Sequence, residues 1–185
     1  ARLRAVSREF LVPWEPVLGS DDLTKPAFRR RVRSYNRDIR NDQAYPFFIF
    51  GAGNNILLGG ITLSNIRRSV AQSACTMGYW IGRPFRRQGY MAGAVQTILP
   101  YAFTTLRLHR IEAACLPHNQ PSIGLLSKCG FVREGQARSY LCINGDWQDH
   151  VLFALIEDDL RRAARSTATK GNPGAGYLRH VDQVG

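Results

Sequence analysis

The run Gly78-Tyr79-Trp80-Ile81-Gly82-Arg83-Pro84-Phe85-Arg86-Arg87-Gln88-Gly89-Tyr90-Met91 carries the residues with the clearest chemical potential. An apolar strand there meets a short basic loop that contains glycine and opens a helix. Such a loop is an anion cradle. Successive backbone N–H groups in a turn point one way, and the first helical turn adds free donors and the positive end of the dipole. Gly89 permits close approach of a pyrophosphate to the backbone, and Arg86 and Arg87 add charge. The spacing is not that of G-x-x-x-x-G-K-[ST], and the three glycines of a dinucleotide fingerprint are missing. A second polar group, Asn119-Gln120-Pro121-Ser122, opens another short helix. Asn and Ser are ordinary cap residues, so these residues alone fit capping as well as ligand binding.

These groups need elements to hold them. An apolar, proline-bracketed loop is expected at residues 10–16, with Trp14 and Glu15 on a stiff turn. Acidic residues from Asp21 and an early Pro26 predict a helix that runs to about Asn41, with Phe28, Val32, Tyr35 and Ile39 at three- and four-residue steps. Arginines fill most of its other faces, either as a solvated surface or as a docking face for RNA or an acidic partner. Strands follow at 45–50, 57–63 and 74–81. Gly59 and Gly60 inside the second imply a bulge or close packing. A helix kinked at Pro100 is expected over 89–106, a strand over 110–116, and a short helix over 121–129 ended by Gly130. Strands at 131–132, 139–143 and 147–156 close the pattern, the last two joined by Asn144-Gly145-Asp146. Strands, helix, strand, helix, strands is the order of an α/β or α+β fold with a central mixed sheet. Residues 1–160 read as one domain, and 161–185 as a basic Gly/Pro-containing tail in which Tyr177-Leu178-Arg179-His180-Val181 is a small apolar island.

The chain has 185 residues and a formal charge of +11, with 25 Lys and Arg against 14 Asp and Glu. That surplus points to anionic company such as nucleotide phosphates or a ribonucleoprotein surface. Apolar runs such as 47–50 are far too short to span a bilayer, and no basic-then-apolar leader opens the sequence. Cys75, Cys115, Cys129 and Cys142 lie far apart, without zinc-ligand spacing. No metal, no membrane and a reduced, cytoplasmic setting are the expectations.

Arg86-x-x-Gly89-x-Met91 after a strand resembles the acetyl-coenzyme A signature of the GCN5-related N-acetyltransferases, with Met91 at a position that is commonly small. The segment from Asn119 and Ser122 through Leu125-Leu126-Ser127-Lys128-Cys129-Gly130-Phe131-Val132-Arg133-Glu134-Gly135 is similar to the family's "N…S…GF…EG" block. Residues 140–151, Phe10-Leu11-x-Pro13-Trp14-Glu15-Pro16 and Ser64-Asn65-Ile66 resemble the branch that acetylates the N-terminal alanine of a ribosomal protein. The likeness covers residues 7 to about 157. It implies a mostly antiparallel sheet splayed in the middle, acetyl-CoA as cosubstrate, and an N-terminal amine as acceptor. It also implies that a first strand is missing, which leaves one edge of the sheet open. The apolar island either docks beside that edge, on its own domain or on a second copy as a homodimer, or belongs to a passive tail that makes only incidental contacts.

By the same resemblance, Trp80 and Ile81 offer backbone to the pantetheine arm, and Arg86, Arg87, Gln88, Gly89, Tyr90 and Met91 receive the pyrophosphate. Asn119 and Ser122 face the coenzyme. Ser122 is the first candidate proton donor to the departing thiolate and Tyr140 the second. Leu141 stands where several relatives carry a glutamate, so no base transfers from them; Glu15 is the candidate for base or ammonium recognition, or simply an exposed loop acid. His109, His118 and His150 lack partners at recognisable spacing and take no part. Asp149 is expected to order nearby backbone. Two other readings remain open at this level: a small-molecule amine as acceptor, and a basic ribosome- or RNA-binding module that keeps the fold.

Overall fold

The computed structural model describes residues 1–167, apart from Leu18, Ser20 and Asn54, together with Tyr177–His180. The linker-like segment 170–176 and Val181 lie outside the described residues. The strands are β1 (Ala44–Phe50), β2 (Leu57–Arg68), β3 (Ser73–Ile81), β4 (Arg110–Cys115), β5 (Val132–Ile143), β6 (Asp146–Ile156) and β7 (Tyr177–His180). The helices are α1 (Arg2–Val6), α2 (Arg8–Leu11), α3 (Lys25–Arg40), α4 (Tyr90–Pro100), α5 (Gln120–Lys128) and α6 (Glu157–Thr167). One sheet forms in the order β5-β6-β4-β3-β2-β1-β7. Among the described residues only the β3–β4 pairing is parallel. The mixed, mostly antiparallel sheet with flanking helices is thus the architecture the sequence implies.

The core lies where α4 and α5 cover one face of the sheet. Val95, Ile98 and Leu99 from α4 and Leu126 from α5 are buried against Ile61, Leu63, Cys75, Ile111 and Leu155. Burying side chains of this size contributes about 1.5–3 kcal/mol each before entropy is subtracted. Pro100 has no N–H and crowds the preceding turn, so the α-helix ends there. The chain continues as a wider turn over Tyr101–Thr105, in which Leu106 N–H donates to the Tyr101 carbonyl at 3.0 Å.

Several boundaries move for local reasons. The first half of the expected 10–16 loop is helical: α2 runs through Leu11, and a 3-10 turn at Val12–Trp14 precedes Glu15. α3 starts four residues after Asp21. Thr24 is its N-cap and Pro26 sits in the first turn, while Asp21 and Asp22 pair with Arg30 and Arg31. The two strands expected at 131–132 and 139–143 are one long strand, β5, interrupted opposite β6 between Ala137 and Leu141. Asp149 stabilises that interruption by accepting from Ser139 N–H (2.9 Å) and Gln136 Nε2 (3.2 Å), which is the backbone-ordering role expected of it. These bonds, led by that from Ser139, hold its carboxyl below the usual range.

The edge of β1 is occupied. β7 pairs with it antiparallel, Phe47 opposite His180 and Phe50 opposite Tyr177, so the island docks on its own domain beside the edge the resemblance leaves open.

Gly59 and Gly60 mark close packing. A Cβ on Gly59 would lie 2.3 Å from the Trp80 carbonyl oxygen, and one on Gly60 would lie 2.6 Å from the Trp80 indole nitrogen. Gly59→Ala must therefore push β2 away from β3, which costs about 1–3 kcal/mol. A thermal melt should show Tm lower by several degrees; an unchanged melt would contradict this register.

Candidate active site

The parallel pairing of β3 with β4 covers only Ala74 with Arg110, Cys75 with Ile111 and Thr76 with Glu112. Beyond it the two strands part. β3 continues along β2, with Trp80 opposite Gly60, while Ala113 to Cys115 continue along β6. The Ser73 carbonyl accepts from His109 N–H at 3.0 Å, and Gly82 N–H donates to the Leu58 carbonyl at 2.8 Å. Backbone groups alternate sides along a strand, so Met77, Tyr79 and Ile81 turn theirs towards β4 and Gly78 and Trp80 turn theirs towards β2. Of the two residues expected to offer backbone to a ligand, Ile81 faces the gap and Trp80 does not; Tyr79 takes its place.

At the end of β3 the chain makes a 3-10 turn at Arg83–Phe85 and enters α4 through Gly89, whose φ is +82°. Arg87 also has positive φ, at +58°. Gly93 N–H donates to the Gly89 carbonyl at 3.0 Å, so the N–H groups of Tyr90, Met91 and Ala92 precede the helical ladder. Arg86, Arg87, Gln88 and Gly89 are exposed and Tyr90 is half-buried. Gln88 Nε2 donates to the Pro84 carbonyl at 2.9 Å, which braces the loop. Arg86 lies 5.7 Å from the Phe10 ring centroid. Met91 packs into the core, so its bulk is spent away from the loop while its N–H stays in the first turn. This is an exposed, cationic, N–H-lined cradle at one end of the gap.

Across the gap, α5 begins with Asn119 as its cap. Asn119 Oδ1 accepts from Ser122 N–H at 3.2 Å, so the capping reading of Asn119 holds. Ser122 does more than cap. Its hydroxyl bonds to the Tyr79 hydroxyl at 2.5 Å, from helix to strand, and it offsets part of the effect of burial on the Cys115 thiol. Burial raises the Tyr79 hydroxyl well above the ordinary tyrosine value and raises the Cys115 thiol as well. Both are therefore neutral at physiological pH. Cys129 is buried beside them, its thiol pushed up to about 11 by burial.

The other candidates lie elsewhere. Tyr140 sits in the interrupted stretch of β5, largely exposed, with its ring edge-on to His150 at 5.8 Å between centroids. It makes no hydrogen bond to Ser122 among the described residues. Glu15 is ion-paired with Arg4, and its carbonyl accepts from Asn144 N–H at 3.0 Å. It is not the exposed loop acid that its position in the sequence allows, since both side chains of the pair are only 18% exposed. Arg4 also lies over the Trp80 ring, 4.8 Å from its centroid. Arg8, Val12, Glu15, Pro16, Val17 and Asn144 line a small cleft beside this turn. His118 contacts the Trp14 ring and His150 Nδ1 contacts the Gln148 carbonyl, so neither joins the cluster at Ser122.

Sequence reasoning missed Tyr79 and Arg4. The alternation of Met77, Tyr79 and Ile81 puts Tyr79 on the helix-covered face, but nothing in the sequence shows that a serine 43 positions later lands on its hydroxyl.

Residues 3–132 match the family model described as an acetyltransferase (GNAT) domain. The chain is 36% identical over 155 residues to the [Ribosomal protein uS5]-alanine N-acetyltransferase of Escherichia coli, covering 84% of this chain and 79% of the relative. The ribosomal-protein-S5-alanine acetyltransferase from Vibrio fischeri superposes with a TM-score of 0.80 at 32% identity, covering 85% of this chain and 86% of that one. Mycobacterium smegmatis RimJ in complex with CoA-disulfide also gives 0.80, at 28% identity, covering 89% and 82%.

Gly89→Val tests the cradle. A β-branched residue is strained at this φ, by an amount of order 1–2 kcal/mol, and the loop must rearrange. The expected outcome is a KM for acetyl-CoA raised roughly tenfold with the acceptor KM within about twofold. Steady-state kinetics with each substrate varied would check it, and an unchanged acetyl-CoA KM would remove the loop from the coenzyme site.

Proposed function

The chain belongs to the GNAT acetyltransferase family, and from that premise we propose that it moves the acetyl group of acetyl-CoA to the N-terminal alanine of a ribosomal protein. The enzyme class, acetyl-CoA-dependent N-acetyltransferase, follows from the family. The residue roles and the acceptor are the proposal. One observation carries the roles: β3 parts from β4 between an N–H-lined cationic cradle and a half-buried serine hydroxyl.

Arg86, Arg87 and the N–H groups around Gly89 bind the pyrophosphate; Gln88 braces this loop and Tyr90 and Met91 supply its first-turn N–H groups. Ile81 and Tyr79 offer backbone to the pantetheine amides, as a strand edge does to an added strand. A backbone N–H in the gap polarises the thioester carbonyl where negative charge develops. The amine nitrogen bonds to the carbonyl carbon, the C–S bond breaks, and Ser122 gives its proton to the departing thiolate. The amine loses one proton as the amide forms, which restores the balance through water. An N-terminal amine has a pKa of about 7.7–8.0, so a neutral fraction exists near pH 7 without a strong base. Glu15 enters through its ion pair with Arg4, which fixes the turn beside the small cleft, and the acceptor is taken to enter there. Tyr140, away from Ser122, is left on the acceptor side.

The likeness to alanine acetyltransferases of ribosomal protein S5 supports the acceptor assignment, as do the Phe10–Pro16 and 140–151 matches. The surplus of +11 suits an encounter with a ribosomal particle.

Peptides beginning with alanine from ribosomal proteins, incubated beside spermidine and analysed by mass spectrometry, should gain one acetyl group at the α-amine. Acetylation of spermidine with none of the peptides would replace this acceptor by a small amine. Ser122→Ala should lower kcat by roughly ten- to a thousand-fold with acetyl-CoA binding near normal. Undiminished kcat would leave Ser122 as a packing and capping residue.

A further inference from the structure

We infer that Tyr79 is a positioning residue for the transfer step: its hydroxyl donates to Ser122 Oγ and so turns the Ser122 hydrogen into the gap between β3 and β4. This rests on the reading of Ser122 as proton donor and adds to it a second residue, from a different strand, that no feature of the sequence assigns.

Three observations carry it. First, the two hydroxyl oxygens are 2.5 Å apart, a close contact for a neutral pair. Ser122 is the sole hydrogen-bond partner of the Tyr79 hydroxyl among the described residues. Second, Tyr79 stays protonated because partial burial against the core raises its hydroxyl above the ordinary tyrosine value, so it always has a hydrogen to give. Third, the two residues come from opposite sides of the parting strands, Tyr79 from β3 and Ser122 from the first turn of α5 after β4. The bond therefore fixes Ser122 relative to the same strand whose Tyr79 and Ile81 backbone groups face the gap.

A serine hydroxyl has one hydrogen and rotates freely when nothing fixes it. If Ser122 donated to Tyr79, its hydrogen would be committed to the phenol and unavailable to a sulfur. With Tyr79 as the donor, the Ser122 hydrogen is left to choose between the Cys115 sulfur, a weak acceptor, and whatever enters the gap. A thiolate is a much stronger acceptor than a buried neutral thiol. As the C–S bond breaks, the proton moves from Ser122 Oγ to the leaving sulfur, and the Tyr79 O–H bond stabilises the negative charge that grows on Oγ. The proton released by the amine on forming the amide returns to Ser122, so no proton is gained or lost over the cycle.

The test is a double-mutant cycle with Tyr79→Phe and Ser122→Ala. Turnover is followed as release of the coenzyme A thiol, with the peptide or spermidine acceptor that the wild type acetylates. Phenylalanine keeps the ring and removes only the hydroxyl. Tyr79→Phe should lower kcat about three- to tenfold, the range of one hydrogen bond, with the acetyl-CoA KM within about twofold. In the Ser122→Ala background the same change should alter kcat by less than about twofold, because the group it positions is gone. An additive loss in the double variant, or an undiminished kcat in Tyr79→Phe while Ser122→Ala is impaired, would overturn the role of Tyr79 and leave that of Ser122 standing. An undiminished kcat in Ser122→Ala would remove the donor itself and with it the inference. A melt of each variant separates lost folding from lost chemistry, since a packing role would lower Tm and move KM together with kcat.

Discussion

Everything at the site depends on where the parallel pairing of β3 and β4 stops. Paired backbone groups are the rule in a folded protein, and an interior strand with polar groups facing another strand out of reach is an unusual arrangement. Here the pairing ends at Thr76 and Glu112. Glu112 is held there by Arg67 from β2 and by Arg110 of its own strand (3.0 Å), and Arg110 reaches Glu134 on β5 at 2.8 Å. Half-exposed ion pairs are individually weak, about 0–1 kcal/mol, but a connected set across three strands fixes registers. Past that clamp, β3 follows β2 and β4 follows β6, each with a full set of partners on its outer side. The sheet thereby keeps its hydrogen bonds and its core while presenting Met77, Tyr79 and Ile81 to a ligand.

The two walls of this gap are built by different means. The proposed phosphate end is backbone: a left-handed Gly89, a turn at Arg83–Phe85, and first-turn N–H groups, with Met91 anchoring the helix in the core beneath them. The proposed chemical end is side chain: Tyr79 from β3, Cys115 from β4 and Ser122 from the first turn of α5, all neutral. A charged donor in that position would have to be desolvated, and a neutral hydroxyl pair avoids the cost. The turn carrying Glu15 stands further out. Arg4 ties it to Trp80 on β3, and Asn144 N–H ties it to the β5–β6 hairpin, so the turn is fixed to both halves of the splayed sheet.

Much of this was legible in the sequence, and the rest was not for identifiable reasons. The strand–loop–helix turn with its left-handed glycine was readable because its pattern is local: a strand end, two arginines and a glycine lie within a dozen residues. Gly59 and Gly60 correctly announced close packing, though only the register shows that Trp80 is what approaches. Docking of the C-terminal island on its own domain beside an open edge was one of the readings its apolar composition allowed, and β7 occupies that edge. Contacts between distant segments stayed hidden. Tyr79 with Ser122 and Arg4 with Glu15 depend on strand order and helix placement, which residue spacing does not encode. Boundaries failed where a side chain competed with the ladder, as when Asp149 bonded Ser139 inside β5 or Thr24 rather than Asp21 capped α3.

The distribution of charge matters more to the chemistry than its sum. On α3, Arg30, Arg31 and Arg37 face Asp21, Asp22 and Asp38, so part of that arginine-rich surface is neutralised within the chain. Arg67, Arg68 and Arg110 are likewise committed to carboxylates. Arg86 and Arg87 have no ion-pair partner among the described residues, and they stand exposed at the mouth of α4. Screening at physiological salt confines an exposed charge to roughly 8 Å. A distant arginine therefore adds little to phosphate binding, whereas two unpaired guanidinium groups beside free N–H donors act within that distance. The basic surplus is therefore left uncompensated at the proposed coenzyme loop, because the acidic residues are placed elsewhere.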